Sequence, residues 1–416
     1  MKVVGIIAEY NPFHKGHKYQ IEQLREKTGA DYVIVAMSGN FLQRGVPALC
    51  DKFTRTRMAL ECGADLVLEL PTLWATASAE YFAEGGVALL ASTGVVTHLG
   101  FGAESNNLEG LLQISSILKE EPSVYRAVLG NSIRTGNPFP VARKNALVTC
   151  LPQFSSGQLD EILDAPNNIL ALEYLKALPS HIKPVLIPRK GAGYFDTEIN
   201  TEIPSATAIR EAIFSDENAD KENLFELLAA AMPEEAYPVL KEFLEKYCCM
   251  ETNDFSSMLG YRLLSLSETD YSHFADCNKD FSNKIKNNLK DYVNIESFTE
   301  LLKSKDLTYT RISRCLLHIL LNITQANYSI GRAIGYTPYL RVLGFRKDAS
   351  ELLSEIKEKA YVPLISKVAD ASSELGYETY KIFENDLFAS ALYYQALASK
   401  SNTKPLNEYT NQIVII

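Results

Sequence analysis

Residues 2–8, KVVGIIA, are an apolar, partly β-branched run, and HKYQIEQLREKTG follows after a polar turn. The first reads as a buried strand and the second as a helix ending at Gly29. The alternation then repeats. DYVIVAM is a second strand, DKFTRTRMALECG a helix opened by an Asp cap, and DLVLEL a third strand. TASAEYFAEGGVALLAS is helical, VVTHLGFG is a fourth strand, and helices from NNLEGLLQISSILKE to about Leu178 lead to a fifth, IKPVLIP. Short apolar strands alternating with helices predict an α/β fold, a parallel sheet covered on both faces. Right-handed crossovers make it doubly wound and Rossmann-like, with ligands at the carboxyl ends of its strands.

From about Ser215 the pattern becomes mostly helical: LFELLAAAMP, AYPVLKEFLEKY, SMLGYRLLSL, SNKIKNNLKDY, SFTELLKS and ISRCLLHILLNIT follow one another across short polar linkers. A later segment, RVLGF to VPLISKVAD, is compatible with one or two more strands, and helix returns from about Glu374 to Ser399. The division this predicts is a catalytic nucleotide-binding domain over 1–214 and a mostly α-helical C-terminal region over 215–416.

Composition narrows the function classes. The 416 residues are 46% hydrophobic and 22% charged, ordinary for a globular chain. No signal-type leader is visible and no apolar run approaches the roughly 18–20 residues of a membrane span, so a cytoplasmic location is expected. The seven cysteines are odd in number and without CxxC spacing, which disfavours zinc sites and disulfide frameworks. The net charge of −10 argues against a globally basic nucleic-acid binder. Between 303 and 347, however, Lys303, Lys305, Arg311, Arg314, Arg332, Arg341, Arg346 and Lys347 face one acid, Asp306. Tyr309, Tyr328, Tyr336 and Tyr339 are interleaved with them. Such a stretch suits RNA phosphates and unpaired bases; a solvated face with packed tyrosines is the plainer alternative.

The candidate chemistry lies in AEYNPFHKGH, residues 8–17. His14 and His17 flank Gly16 where the first strand turns into a helix. A helix start offers unpaired N–H groups and a positive dipole end, and a glycine lets a nucleotide approach the backbone. Two imidazoles there can donate to a phosphate undergoing displacement. Ordinary surface histidines are the alternative, and zinc is a weaker one for lack of a third ligand. Glu9 and Asn11 lie in the same turn, suited to an acid-binding pocket or to turn stabilisation. After the fifth strand, IPSATAIREAI places Ser205 as a helix cap with Thr207 and Arg210 on the first turns.

HxGH after a first strand, with a Ser-Thr-Arg helix after the last, resembles the HIGH-type nucleotidyltransferase superfamily. MSGNFLQRGVPA, DKFTRTRMAL, GADLVLELP, FGAES, PNNILALEYLKAL, RKGAGYFDT and YLRVLGF extend the likeness along nearly the whole chain. In that order they resemble one bacterial family, the tRNA(Met) cytidine acetate ligases. The resemblance implies that ATP and acetate form acetyl-adenylate and pyrophosphate. The acetyl group then passes to the wobble cytidine of elongator tRNA(Met), giving N(4)-acetylcytidine. It implies His14, His17, Ser205 and Arg210 as the catalytic donors, and Ile7, Ala8, Glu9, Asn11, Gly16, Gly102, Asn168, Arg189 and Lys190 as nucleotide contacts. Gly102 is open to a tight-turn reading and Asn168 to a helix-cap reading. Arg44, Arg55 and Arg57 are further candidates; the last two, being two apart, point to different sides of a helix. Lys15, between the histidines, is expected to point away. Mg2+ is implied by ATP chemistry, not by a visible carboxylate cluster. A small-molecule adenylyltransferase acting on a phosphate-bearing acceptor is the alternative, and a nucleotide-sensing RNA binder without turnover a third reading.

Overall fold

The computed structural model describes residues 1–189, 204–215 and 221–416. Five parallel strands form as expected: β1 (Val3–Ala8), β2 (Tyr32–Ser38), β3 (Leu66–Leu70), β4 (His98–Ala103) and β5 (Lys183–Pro188). Their spatial order is β5-β4-β1-β2-β3. The chain runs outward from β1 to β3, then returns to the other flank of β1 for β4 and β5. That reversal opens a crevice at the carboxyl ends between β1 and β4, where doubly wound sheets take their ligands.

The helices that frame the crevice begin and end for local reasons. Helix α1 (Lys15–Thr28) is capped by His14 and stops at Gly29, whose φ of 62° is left-handed. Helix α2 (Lys52–Glu61) starts at Asp51, whose carboxylate accepts from the Phe53 and Thr54 N–H groups. On the crevice also lie α3 (Ala79–Ser92), α4 (Pro166–Ala177), which opens on a proline, and α5 (Ala206–Phe214), capped by Ser205.

The C-terminal region is mostly helical, and includes α6 (Tyr309–Leu321), α7 (Gln325–Ala333) and α8 (Tyr377–Ser401). It also supplies three short strands, more than the one or two expected. Strand β6 (Leu340–Phe345) pairs antiparallel with β3, and β7 (Leu364–Ile365) and β8 (Val414–Ile415) pair parallel with β6. The physical reason is the edge of β3. All five of its residues are buried, and its outer row of backbone groups needs partners. A cut at residue 214 therefore divides the chain but not the sheet.

The same junction corrects the reading of the basic stretch. Arg341 is buried, its guanidinium 3.1 Å from Glu69 and also bonded to Glu408. Lys52, fully buried, lies 2.7 Å from each of the same two carboxylates. Tyr339 is buried beside them and donates to Asp386 at 2.5 Å. Tyr328 stacks on Trp74 at 5.5 Å, and Tyr336 packs on the same ring. Arg314 pairs with Asp276, and Arg346 with Asp348. Lys303, Lys305, Arg332 and Lys347 remain exposed. The junction buried Tyr339 and the central arginine because the β3 edge needed apolar cover and counter-charge, while Tyr328 and Tyr336 are half-buried against Trp74.

Candidate active site

The crevice is built on the turn after β1. Arg55, fully buried on α2, donates to the carbonyls of Glu9 at 2.7 Å, Ser38 at 3.0 Å and Cys50 at 3.1 Å, and to that of Gly39. One planar fork thus holds the ends of β1 and β2 together. Arg55 is a structural latch, while Arg57 points to the surface and pairs with Glu242. Asn11 serves the same turn: its Oδ1 accepts from the Leu49 N–H at 2.7 Å, and its carbonyl from Arg210 at 2.7 Å.

The two histidines cap the helix for each other. The Gly16 N–H donates to His14 Nδ1 at 3.0 Å, and the His14 N–H to His17 Nδ1 at 3.2 Å. An Nδ1 that accepts forces the remaining proton of a neutral ring onto Nε2. Both rings are thereby fixed as Nε2–H donors, 3.8 Å apart between centroids. Burial, and then the positive Arg189 and Arg210, hold the His14 pKa down at about 3. Burial, His14 and Arg189 push His17 well below its ordinary value as well. The pair thus stays neutral across the physiological range and donates without carrying charge.

A folded-state pKa below the unfolded value of about 6.5 means the unfolded chain binds protons first. Stability is therefore expected to fall as pH drops below about 6.5, continuing towards the folded value of about 3 for His14. Denaturant titrations at pH 7.5 and 5 would show a shallower loss in His14→Gln than in the native chain. An equal loss in both would remove the histidine from the account.

Opposite the histidines, the Ser205 hydroxyl accepts from the Ala208 N–H at 3.0 Å and caps α5. Arg210, one turn on, holds Thr207 Oγ1 at 3.0 Å as well as the Asn11 carbonyl. Arg189 follows β5, with Nη1 3.5 Å from Asn167 Oδ1. These side chains line one cleft of about 320 Å³ together with Ile7, Ala8, Glu9 and Gly102. Gly16 lines a smaller cavity beside it, shared with His14, Gly102 and Arg189. A Cβ on Gly102 would meet nothing nearer than the Arg189 side chain at 3.6 Å, so packing does not require glycine there. Gly100, two residues earlier, is different: a Cβ would run into Leu24. The bare backbone at Gly102 borders open cleft, where a nucleotide can lie against it.

Asn168 does not line the cleft. Its side chain is buried, its Oδ1 accepts from the Ser105 N–H at 2.9 Å, and its own N–H donates to Glu104 at 3.0 Å. Its neighbour Asn167 is the one that faces the cleft. Lys15 points away, to the Ala230 carbonyl. Arg44 lines the cleft, and Lys190 lies outside the described residues. Gln20, Gln43, Phe82, Phe101 and Tyr174 also line it, and motif reading missed them. Gln20 was findable, being three residues beyond His17 on the same helix face. The others converge from separate elements and leave no local pattern.

A doubly wound sheet with paired neutral histidine donors at its switch point, and a Ser-Thr-Arg helix facing them, defines a nucleotidyl transferase site. The family model described as HIGH Nucleotidyl Transferase matches residues 1–408. A tRNA(Met) cytidine acetate ligase of Thermoanaerobacter sp. (strain X514) is 40% identical, over 96% of this chain and 97% of its own. That of Acetivibrio thermocellus is 35% identical over 100% of both chains. The crystal structure of apo Thermotoga maritima TmcAL superposes with a TM-score of 0.90 at 30% identity, covering 100% of both chains. The same protein bound with alpha-thio ATP gives 0.88 at 29% identity, covering 100% of this chain and 99% of that one. The chain belongs to the tRNA(Met) cytidine acetate ligase family.

Proposed function

We propose that this protein activates acetate with ATP and transfers the acetyl group to the wobble cytidine of elongator tRNA(Met). The observation that carries the reading is the convergence of His14, His17, Arg189, Ser205 and Arg210 on one cleft, in a chain related to acetate ligases along its whole length. An acetate oxygen attacks the α-phosphorus, and the bond to pyrophosphate breaks. Charge gathers on the phosphate oxygens and on the leaving pyrophosphate. Neutral Nε2–H donors stabilise the first, and the fixed guanidinium charges of Arg189 and Arg210 stabilise the second. Asn11, through its carbonyl, aims Arg210.

Mg2+ would enter as the cation of the ATP phosphates. Among the described residues no group of three His, Cys, Asp or Glu side chains is arranged to hold an ion of its own. Residues 215–416 are assigned the tRNA contacts, with exposed Lys303, Lys305, Arg332 and Lys347 as phosphate partners. No helix among the described residues is long and apolar enough to cross a membrane, and a tRNA substrate fits a cytoplasmic site of action.

The test is pyrophosphate release from ATP, with and without acetate and unmodified tRNA(Met). Acetate-dependent release and labelled acetyl in the tRNA are expected. Release indifferent to acetate would overturn the reading, and phosphate-bearing acceptors of a small-molecule adenylyltransferase would then be screened.

A further inference from the structure

The cleft carries two kinds of lining. His14, His17, Arg44, Arg189, Ser205 and Arg210 supply charge and hydrogen-bonding groups. Phe82 from α3, Phe101 from β4 and Tyr174 from α4 supply aromatic surface. The turn after β1 brings Glu9 near enough to Tyr174 for its charge to act on the hydroxyl. The two rings Phe101 and Tyr174 lie 6.2 Å apart between centroids. Burial, and then the nearby Glu9 charge, push the Tyr174 hydroxyl up, so it keeps its proton.

Glu9 is held firmly. Its Oε1 accepts from the Gln43 N–H at 2.8 Å, and its carbonyl accepts from the latch residue Arg55. Gln43 is held in turn, donating from Nε2 to the Ala77 carbonyl at 3.3 Å. Among the described residues, no hydrogen-bond donor reaches Glu9 Oε2. An acceptor-only carboxylate repels acetate and ATP phosphates alike, so Glu9 is badly suited to hold either. What a carboxylate beside aromatic rings does suit is a flat base that offers an amino group. Among nucleobase edges, the exocyclic N4 amine of cytosine pairs with Glu or Asp in this way, and unpaired bases settle on aromatic side chains.

We infer that the Phe82–Phe101–Tyr174 lining of the cleft receives the flipped-out target cytosine, and that Glu9 binds its N4 amine and takes its proton during acetyl transfer. This rests on the ligase reading given above. In the transfer step the N4 lone pair attacks the acetyl carbonyl carbon and a C–N bond forms. The bond from that carbon to the phosphate oxygen breaks, and AMP leaves with the electron pair. One N4 proton passes to the Glu9 carboxylate and from there to water. An amine conjugated with its ring is a weak nucleophile, so removing the proton as the bond forms is where a positioned base matters. Base flipping costs only a few kcal/mol for an already single-stranded nucleotide, such as one in an anticodon loop.

The experiment separates the two half-reactions. In Glu9→Gln, acetate-dependent exchange of labelled pyrophosphate into ATP is expected to fall far less than acetyl transfer does, and the ratio of the two losses is the readout. Transfer from synthetic acetyl-adenylate to tRNA(Met) is expected to fall by about 10²–10⁴-fold, the usual contribution of a general base. A tRNA carrying uridine in place of the wobble cytidine offers no amine. The native enzyme should bind it less tightly than the cytidine form, and Glu9→Gln should lose that preference. Transfer at the native rate in Glu9→Gln, or exchange and transfer lost to the same degree, would overturn the inference. Absence of acetate-dependent exchange in the native enzyme would instead overturn the ligase reading and, with it, this one.

Discussion

His17→Ala is expected to lower acetate-dependent pyrophosphate release by about 10²–10³-fold, the usual consequence of removing one donor from a transition-state cradle. The argument is geometric. His17 Nδ1 is occupied by the His14 N–H, so its remaining donor is Nε2–H, and the ring lines the cleft. The substitution also removes one half of a reciprocal cap, which costs about 1 kcal/mol. That loss is too small to unfold a chain with so large a core, so circular dichroism should be unchanged. Native turnover in the variant would remove His17 from the mechanism. Loss of the dichroic signal would mean that the cap carries far more of the fold than one hydrogen bond can explain.

The second large effect is on stability. Glu69→Ala is expected to destabilise the protein by about 3–5 kcal/mol, the cost of stranding buried charges without their partner. Lys52 and Arg341 both lean on Glu69, and Glu408 alone would face them. Asp386 offers partial relief. Burial, and then the Glu69 charge, raise its pKa to about 7, so removing Glu69 lets it ionise more readily. Denaturant midpoints of Glu69→Ala and of Glu69→Ala with Asp386→Asn would measure both contributions. A loss below about 1 kcal/mol in the single variant would mean that the network is hydrated and behaves as surface pairs do. Because Lys52 and Glu69 come from the first half of the chain and Arg341 and Glu408 from the second, the same substitution should also loosen β6 from β3. Hydrogen exchange at Val342 and Leu343 would then rise with it.

Those two sites mark the two kinds of information in this chain. His14, Gly16 and His17 form one turn, so their spacing alone puts them at a helix start after a buried strand. Ser205, Thr207 and Arg210 likewise lie within two turns of one capped helix. Local geometry carries such motifs, and the five parallel strands are equally legible because apolar runs bounded by turns need little tertiary context. Asn167 and Asn168 show where this stops. Both sit in the first turn of α4, and which one reaches the cleft depends on how Glu104 and Ser105 dock against that turn.

The basic stretch shows it more strongly. Eight cations over 303–347 are a sequence fact, but charge along a chain does not say which way each side chain faces. Arg341 became the centre of a buried ion network because β6 covers the edge of β3, where Glu69 points into the junction. The partner that decides its role is 272 positions away, by subtraction of the two residue numbers. The aromatic wall of the cleft has the same origin, since Phe82, Phe101 and Tyr174 share no periodicity. By itself the amino-acid order determined the local elements and the two motifs that line the cleft, through hydrogen bonds and spacings within a few residues. The tertiary structure decided which charges are buried and which aromatic side chains share the cleft with the histidines, because burial and pairing depend on neighbours that only the folded sheet brings together.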